Sequence, residues 1–469
     1  MKLNLKKIAT LLAWVFGIVV LLTVIIFFNT SENSFFQILL NVCYGVMRIL
    51  LLIAAVWFIL YVPFIFLLQF LWKRIKQKKR FANPQTVKVT SRFIADTGAM
   101  FGAVTLFYAF VIFISAHLIA PDPTPNAGFQ MNEIAFKSPG FHITVLKVPL
   151  EIQHKKTSFF KWLISGKELS YRLIPIKNYW MQSDSLLVER YLGDGIAGDT
   201  LHFPVQQIIS DFNASDKLHQ IEKNAISNKY FLFGTDDLGR DYFSRMLLGV
   251  RVSLAVGCIA VFIALLIGIP IGAAAGFFKK ELPEISILKR KFLFPVDNFL
   301  MWTMSVIWAI PALLLVFPIV FAFGQQFYTI FIAVGLTMWV DIARLVRGQV
   351  MQVREMEYIT ATKNFGYSNF RTVFLHILPN IIGPVIVITA ANFAYAILTE
   401  AGLSFLGIGV QPPAPSWGLM ISKYKDNLIT DPYLALIPGT AITLLVLAFF
   451  MIGNGLRDAL DIKSQVGNT

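Results

Sequence analysis

Long uncharged apolar runs alternate with short charged ones along most of this chain, and the runs exceed what a water-soluble core helix needs. A helix requires about 20 mostly apolar residues to cross the hydrocarbon of a bilayer. Eight stretches meet that length, at 8–28, 48–71, 98–120, 252–278, 300–323, 327–346, 381–399 and 433–453. The pattern predicts an all-α polytopic membrane protein. The first stretch follows Lys2, Lys6 and Lys7 as a secretory leader would, but it is long for a leader and no small-residue cleavage site follows. It is expected to remain as a helix.

One polar stretch, 121–232, interrupts this pattern and opens with the proline-rich PDPTPN. Within it, FHITVLKVPLEI (141–152) and DSLLVERYL (184–192) alternate as half-buried strands do, between glycine, proline and asparagine turn signals. A small β-rich inserted domain is predicted here. The chain then divides into an N-terminal two-helix hairpin (1–80), a third helix (81–120), the insert (121–232) and a helical remainder (233–469).

Composition agrees with the membrane reading. Apolar residues make up 56% of the 469 and charged residues only 14%, against about 25% charged in a typical soluble domain. A net charge of +14 would suggest nucleic acid in a soluble chain. Its placement argues otherwise. With the N-terminus inside, Lys73, Arg74, Lys76, Lys78, Lys79, Arg80, Lys88 and Arg92 face only Asp96 in segment 72–97, and Lys279, Lys280, Lys289, Arg290 and Lys291 fall in 279–299. Segment 121–251 balances 15 basic against 14 acidic residues, as an exported domain can. The bias predicts a bacterial cytoplasmic membrane location, with both termini and segment 347–380 cytoplasmic and the insert outside. No nucleic-acid partner is expected. The run KRIKQKKR is read as a headgroup anchor against membrane lipid.

Several motifs are decoys. Gly193, Gly195 and Gly198 spell GxGxxG, but DTLHFPV follows, where a dinucleotide site needs a helix N-terminus. Asp199 stands where a phosphate loop requires lysine, so a glycine-rich turn is predicted. His117, His142, His154, His202, His219 and His376 lack metal-ligand spacing. Cys43 and Cys258 lie in or beside apolar runs and are expected to be small buried hydrophobes. No catalytic residues, metal or cofactor are expected.

The informative polar segment is ARLVRGQVMQVREMEYITATKNFGYSNFRTVFLHILPN, residues 343–380. It reads as two short helices around a glycine. Met356, Tyr358, Ile359 and Thr362 are expected near one face. Gly366 suits the left-handed conformation that closes a helix, and Ser368 an N-cap. Phe370, Val373, Phe374, Ile377 and Leu378 then recur at helical spacing until Pro379, which is expected to end or kink the run. Periodicity alone fits either docking into another protein or lying on lipid. Asp341 and Arg344, at i,i+3 near the cytoplasmic end of the sixth helix, are read as a local neutralising pair in preference to a gate element. Asp236, Asp237, Arg240, Asp241 and Arg245 give mixed charge at helical spacing, read as a polar segment along the membrane interface, with a solvated face of local i,i+4 pairs at least as good a reading as substrate contact. Segment 400–420, rich in glycine and proline, is expected to form a re-entrant or surface cap.

The glycine-centred loop resembles the EAA loop of ABC importer membrane subunits: EAA, three residues, Gly, nine residues, IxLP. Thr360-Ala361-Thr362, Gly366 and His376-Ile377-Leu378-Pro379 hold those positions, with threonine for Glu and for the last Ala, and His for the first Ile. GTDDLGRDYFSRMLLGVRVSLAVG (234–257), EAGLSFLGIGVQPPAPSWGLM (400–420) and GNGLRDALD (453–461) resemble the dipeptide/oligopeptide/nickel branch, C-type permeases in particular. The similarity covers roughly 85–120 and 233–469. It implies a six-helix permease core, carrying the coupling loop 347–380, added to the hairpin. It also implies a second homologous permease, two ATP-binding cassette ATPase subunits and an extracytoplasmic substrate-binding protein as partners, with peptides as cargo. ATP hydrolysis would then occur on the partner chains. The ATPase-coupling contact would comprise Glu357, Tyr358, Thr360, Ala361, Thr362, Gly366, Leu378 and Pro379. The alternative from another class is a membrane receptor or sensor with 121–232 as its ligand domain.

Overall fold

A computed structural model describes residues 84–150, 157–208, 217–278, 284–287, 290–293, 296–324 and 326–460, all within one compact unit, 79–469. The expected helices at 8–28 and 48–71, the basic run ending at Arg80, and Cys43 lie outside the described residues.

Helix α1 (Pro84–Ala95) leads into α2 (Thr97–Ile119), which carries no charged side chain and is capped by Asp96, whose carboxylate accepts from the Ala99 amide at 2.9 Å. After the insert comes α5 (Tyr242–Phe277), then α6 (Val296–Ala309), α7 (Ala312–Phe323), α8 (Phe327–Arg354), α9 (Glu357–Asn364), α10 (Asn369–Phe405), α11 (Trp417–Tyr424) and α12 (Tyr433–Leu460). Glu284–Ile287 and Arg290–Leu293 pair as a two-stranded ribbon between α5 and α6. Five of these helices are long and apolar enough to cross a bilayer. The expected span at 300–323 is broken: α6 and α7 meet at 89°, which makes six crossings only if the bent pair counts as one. Pro311 causes the break, since it disfavours helical backbone at Ile310 and supplies no N–H to continue the ladder.

The bundle is built on small residues. Along α5, Gly268, Gly272 and Gly276 face α8 so closely that a Cβ would lie 2.7, 2.4 and 2.7 Å from the carbonyl oxygens of Trp339, Ala343 and Arg347. Gly335 of α8 returns the contact, 2.8 Å from Ile263 by the same measure. Such a stripe lets two backbones approach where lipid provides no hydrophobic drive of its own. Helix α10 packs against both members of this pair and α2 against α5, and α12 packs on α10 and α2. Cys258, by contrast with the sequence expectation, is exposed on the outer face of α5.

The insert is a five-stranded antiparallel sheet in the order β4-β3-β2-β1-β5. Strand β1 (Phe141–Pro149) and β3 (Ser185–Arg190) are the two strands predicted, joined by β2 (Tyr171–Gln182), β4 (Thr200–Pro204) and β5 (Ile226–Phe231). A short helix, α3 (Phe159–Ser165), lies between β1 and β2, and α4 (Lys217–Asn224) precedes β5. Alternation buries Leu146, Ile174, Ile176, Leu186 and Val188 on one face with Val205 and Ile221, and Ile143, Val145 and Leu173 on the other with Ile134 and Phe231. The GxGxxG stretch is a turn leading into β4. Gly198 is required there because a Cβ would meet the Arg190 carbonyl at 1.7 Å.

The charged stretch 234–245 departs from its expected form. Instead of a solvated helical face it makes a tight turn in which Asp236, Arg240, Asp241 and Arg245 are buried, and α5 starts only at Tyr242. Asp236 accepts from the amides of Leu238 and Arg240 at 2.9 Å each and from Arg240 Nε at 2.7 Å, with Arg245 Nε 3.6 Å away. These bonds are what make burial of the Asp236 charge tolerable. Asp237 reaches Lys423 and the Tyr424 hydroxyl of α11, each at 2.7 Å. Amides of Met131 and Phe136 bond to the carbonyls of Leu238 and Asp236 at 3.2 and 3.0 Å, so this turn fastens the sheet domain to the helices.

Candidate functional site

The helix–glycine–helix element projects from the end of α8. That end is fixed to α5 by Arg354, whose guanidinium donates to the Phe277 carbonyl and lies 5.5 Å from the Phe277 ring centroid. One turn of chain later α9 begins. It closes through Phe365 N to Ala361 O at 3.0 Å and Tyr367 N to Thr362 O at 3.1 Å. Gly366 adopts φ +74° with nothing within 4 Å of a Cβ position, so its requirement is conformational, not steric. Ser368 then caps α10, accepting from the Arg371 amide at 3.3 Å.

The four residues expected on one face of α9 divide between two. Ile359 and Thr362 are buried, whereas Met356 and Tyr358 are exposed. The reason is the inward packing partner. Thr362 Oγ1 donates to the Ile359 carbonyl at 2.7 Å and sits 3.4 Å from Thr372 Oγ1, joining α9 to the first turn of α10. Glu357 and Thr360 are exposed and Ala361 half-buried. The Tyr358 hydroxyl accepts from Asn380 Nδ2 at 2.9 Å, and Asn380 also donates to the His376 carbonyl at 2.7 Å.

Pro379 does not end the following helix. It occupies the second position of the regular stretch Leu378–Phe405, and the five residues before it, Val373–Ile377, form a π-turn closed by Leu378 N to Val373 O. A proline ring clashes with the carbonyl four residues back, and one widened turn relieves that clash without breaking the helix. Leu378 is half-buried and Pro379 exposed. Of the apolar series, Ile377 is buried, while Phe370 and Phe374 are exposed and lie against each other at 4.2 Å between centroids. Arg371 covers the Tyr367 ring at 4.4 Å, and Tyr367 stacks on His376 at 5.7 Å. The result is a small rigid knuckle with a buried hydroxyl pair inside and a polar and aromatic exterior.

Thr372, Asn380 and Arg354 were missed by sequence reasoning, which looked for apolar periodicity and not for the hydroxyls and amide that lock one helix on another. The Asp341–Arg344 pair is not among the described ion pairs. Arg344 instead lies 4.4 Å from the Trp308 ring centroid and 3.4 Å from Ser305. Within 400–420, α10 continues to Phe405 and the chain turns back to α11. Glu400 is fully buried and accepts from Ser404 and Ser416 at 2.7 and 2.9 Å, so the cap is pinned to α10.

Several long apolar helices around a glycine seam, with one exposed helix–glycine–helix element between two of them, define a multi-pass membrane protein of the permease type. Residues 268–464, which include the knuckle, match the family described as binding-protein-dependent transport system inner membrane component. The chain is 36% identical over 230 residues to the glutathione transport system permease protein GsiD of Pectobacterium atrosepticum, covering 49% of this chain and 72% of that protein. It is 41% identical over 233 residues to the dipeptide transport system permease protein DppC of Alkalihalophilus pseudofirmus (50% and 72%), and 38% identical over 231 residues to the oligopeptide transport system permease protein OppC of Bacillus subtilis (49% and 71%). Among solved structures, an inward-facing MetNI methionine ABC transporter aligns over 46% of this chain and 97% of its own at 17% identity, with a TM-score of 0.37. The chain belongs to this family and is an ABC importer permease of the branch its motifs resemble. The receptor alternative is unsupported.

Proposed function

We propose that this permease imports peptides, forming a translocation path with a second homologous permease, driven by two ATP-binding cassette ATPase subunits and supplied by an extracytoplasmic binding protein. Two of the relatives above are named for dipeptide and oligopeptide transport, which supports the cargo class. The Lys/Arg bias supports both termini and segment 347–380 on the cytoplasmic side and the insert outside. The division into hairpin (1–80), first core helix (81–120), insert (121–232) and core (233–469) belongs to the same proposal.

One observation carries the coupling assignment: α9 presents Glu357, Tyr358 and Thr360 outward beside an open, left-handed Gly366. These residues and Ala361 form the surface that a groove in an ATPase would grip. Thr362, Leu378 and Pro379 shape that surface from behind. Closure of the ATPase dimer on ATP pushes the knuckle, and the bundle rocks as rigid parts about the path.

Co-purification of the full transporter tests this. Gly366→Pro, which cannot adopt a positive φ, and Ala361→Trp should both lower ATPase recovery at least about tenfold while membrane insertion is retained. Wild-type recovery with both variants would overturn the coupling assignment. Uptake of labelled dipeptide into proteoliposomes holding the complete transporter and its binding protein tests the cargo.

A further inference from the structure

The short helix α3 of the insert is more apolar on its exposed side than a sheet domain in water requires. Phe159, Phe160 and Ile164 are 57%, 72% and 64% exposed. The level at which they sit is fixed at two places, Arg251 and Pro123. Arg251 Nη1 donates to the Ile164 carbonyl at 2.9 Å. The amide of Lys167 donates to the Pro123 carbonyl at 2.7 Å, four residues past the end of α2. Gly166, at φ +82°, approaches so closely that a Cβ would lie 2.8 Å from that same carbonyl.

Those anchors mark the membrane boundary. Arg251 is the last charge before the uncharged stretch 252–278, and Ile119 ends the uncharged α2. Helix α5, at 36 residues, measures about 54 Å against about 30 Å of hydrocarbon, so its first turns rise clear of the bilayer core. The exposed stripe of α2, Phe107, Phe110, Val111, Ile114 and Leu118, runs up to the level at which α3 sits. Lys161 and Lys167 flank the aromatic residues and are themselves exposed. Aromatic rings beside lysines at the polar–apolar boundary are what an interfacial lipid contact needs.

We propose that α3 lies in the lipid interface, with Phe159, Phe160 and Ile164 among the upper acyl chains and Lys161 and Lys167 at the headgroups. The sheet domain is thereby fastened to the bilayer as well as to the bundle. The inference depends on the membrane reading of the bundle and not on the coupling role of the knuckle. It also holds whichever side of the membrane the insert occupies.

The test uses the full-length chain with Cys43→Ser and Cys258→Ser, carrying Phe160→Cys or, as a control on β4, His202→Cys. Each is labelled with an environment-sensitive fluorophore and placed in phosphatidylcholine nanodiscs with and without lipids bearing a nitroxide high on the acyl chain. Emission at position 160 should be blue-shifted and quenched at least about twofold, with position 202 nearly unchanged. Equal, unquenched emission at both positions would overturn the proposal. So would shielding of position 160 that arises only when the partner permease or binding protein is added, since the face would then belong to protein.

Discussion

Arg347 grips Asp297 with both edges of its guanidinium, Nε to Oδ1 at 2.6 Å and Nη2 to Oδ2 at 2.8 Å. The pair ties α8 to the first turn of the bent α6, where a carboxylate also suits the helix dipole. Removing one partner strands the other charge. Asp297→Ala should cost about 2–3 kcal/mol, below the figure for a fully enclosed pair because Arg347 keeps some solvent access. The double variant with Arg347→Ala should cost less than the sum of the two singles. Thermal unfolding of the purified chain in detergent measures the cycle, and strict additivity would show the pair to be energetically idle.

Gly272 offers a second measure of the bundle. A Cβ there would stand 2.4 Å from the Ala343 carbonyl, a backbone atom that cannot turn aside. Gly272→Val should lower stability by at least about 2 kcal/mol, while a bulkier side chain at Gly348, which has open space around it, should be nearly neutral. Equal melting temperatures for the two variants would contradict the seam.

The insert should weaken in acid. At Glu133, burial works against the carboxylate, but the hydrogen bond and charge of Arg190 outweigh it and hold the group below the usual range. Asp237 behaves alike: burial opposes it, and Lys423 and Tyr424 prevail. A carboxylate whose pKa is lowered by folding stabilises the fold above its unfolded value, about 4, and that contribution is lost as pH falls through the folded value. Protection of sheet amides from hydrogen exchange, corrected for intrinsic rates, should therefore drop below about pH 4. Glu133→Gln should lose about 1 kcal/mol at neutral pH and show a shallower acid response.

At the knuckle, strain and steric bulk can be separated. Gly366→Ala meets no neighbour but must hold φ +74°, at a cost of about 1 kcal/mol, whereas Gly366→Asn should be milder because asparagine tolerates that region. ATPase affinity should accordingly be lower for the alanine variant than for the asparagine one. The reverse order would mean that side-chain contact, and not backbone conformation, governs the site.

Much of this architecture was legible in the chain. Uncharged runs long enough to cross a bilayer declare themselves, and so did β1, β3, the Gly366 turn and the Ser368 cap, because each rests on local pattern. What stayed hidden depends on partners distant in sequence. Asp236 and Arg245 looked like a solvated face until the loop 131–136 closed over them. Tyr358 and Ile359 looked alike until Thr372 and Asn380 decided which side faced inward. Pro379 looked like a stop, and only the π-turn before it reveals how the helix passes through. The bend at Pro311 sat inside an uncharged, strongly apolar run, so hydropathy could not mark it.

The glycine seam between α5 and α8 has a mechanical corollary. Two rods meshed backbone to backbone over three successive notches, and bolted at one end by Arg354 to Phe277, form a beam whose one weak point along α5 is Pro270. On the coupling proposed above, a thrust at Glu357–Asn364 would run along this beam toward its far tip, where the Tyr242 ring meets those of Tyr424 and Tyr433. The elbow between Ala309 and Ala312 is where the described chain already turns by 89°, and any rocking of the bundle would find its give there.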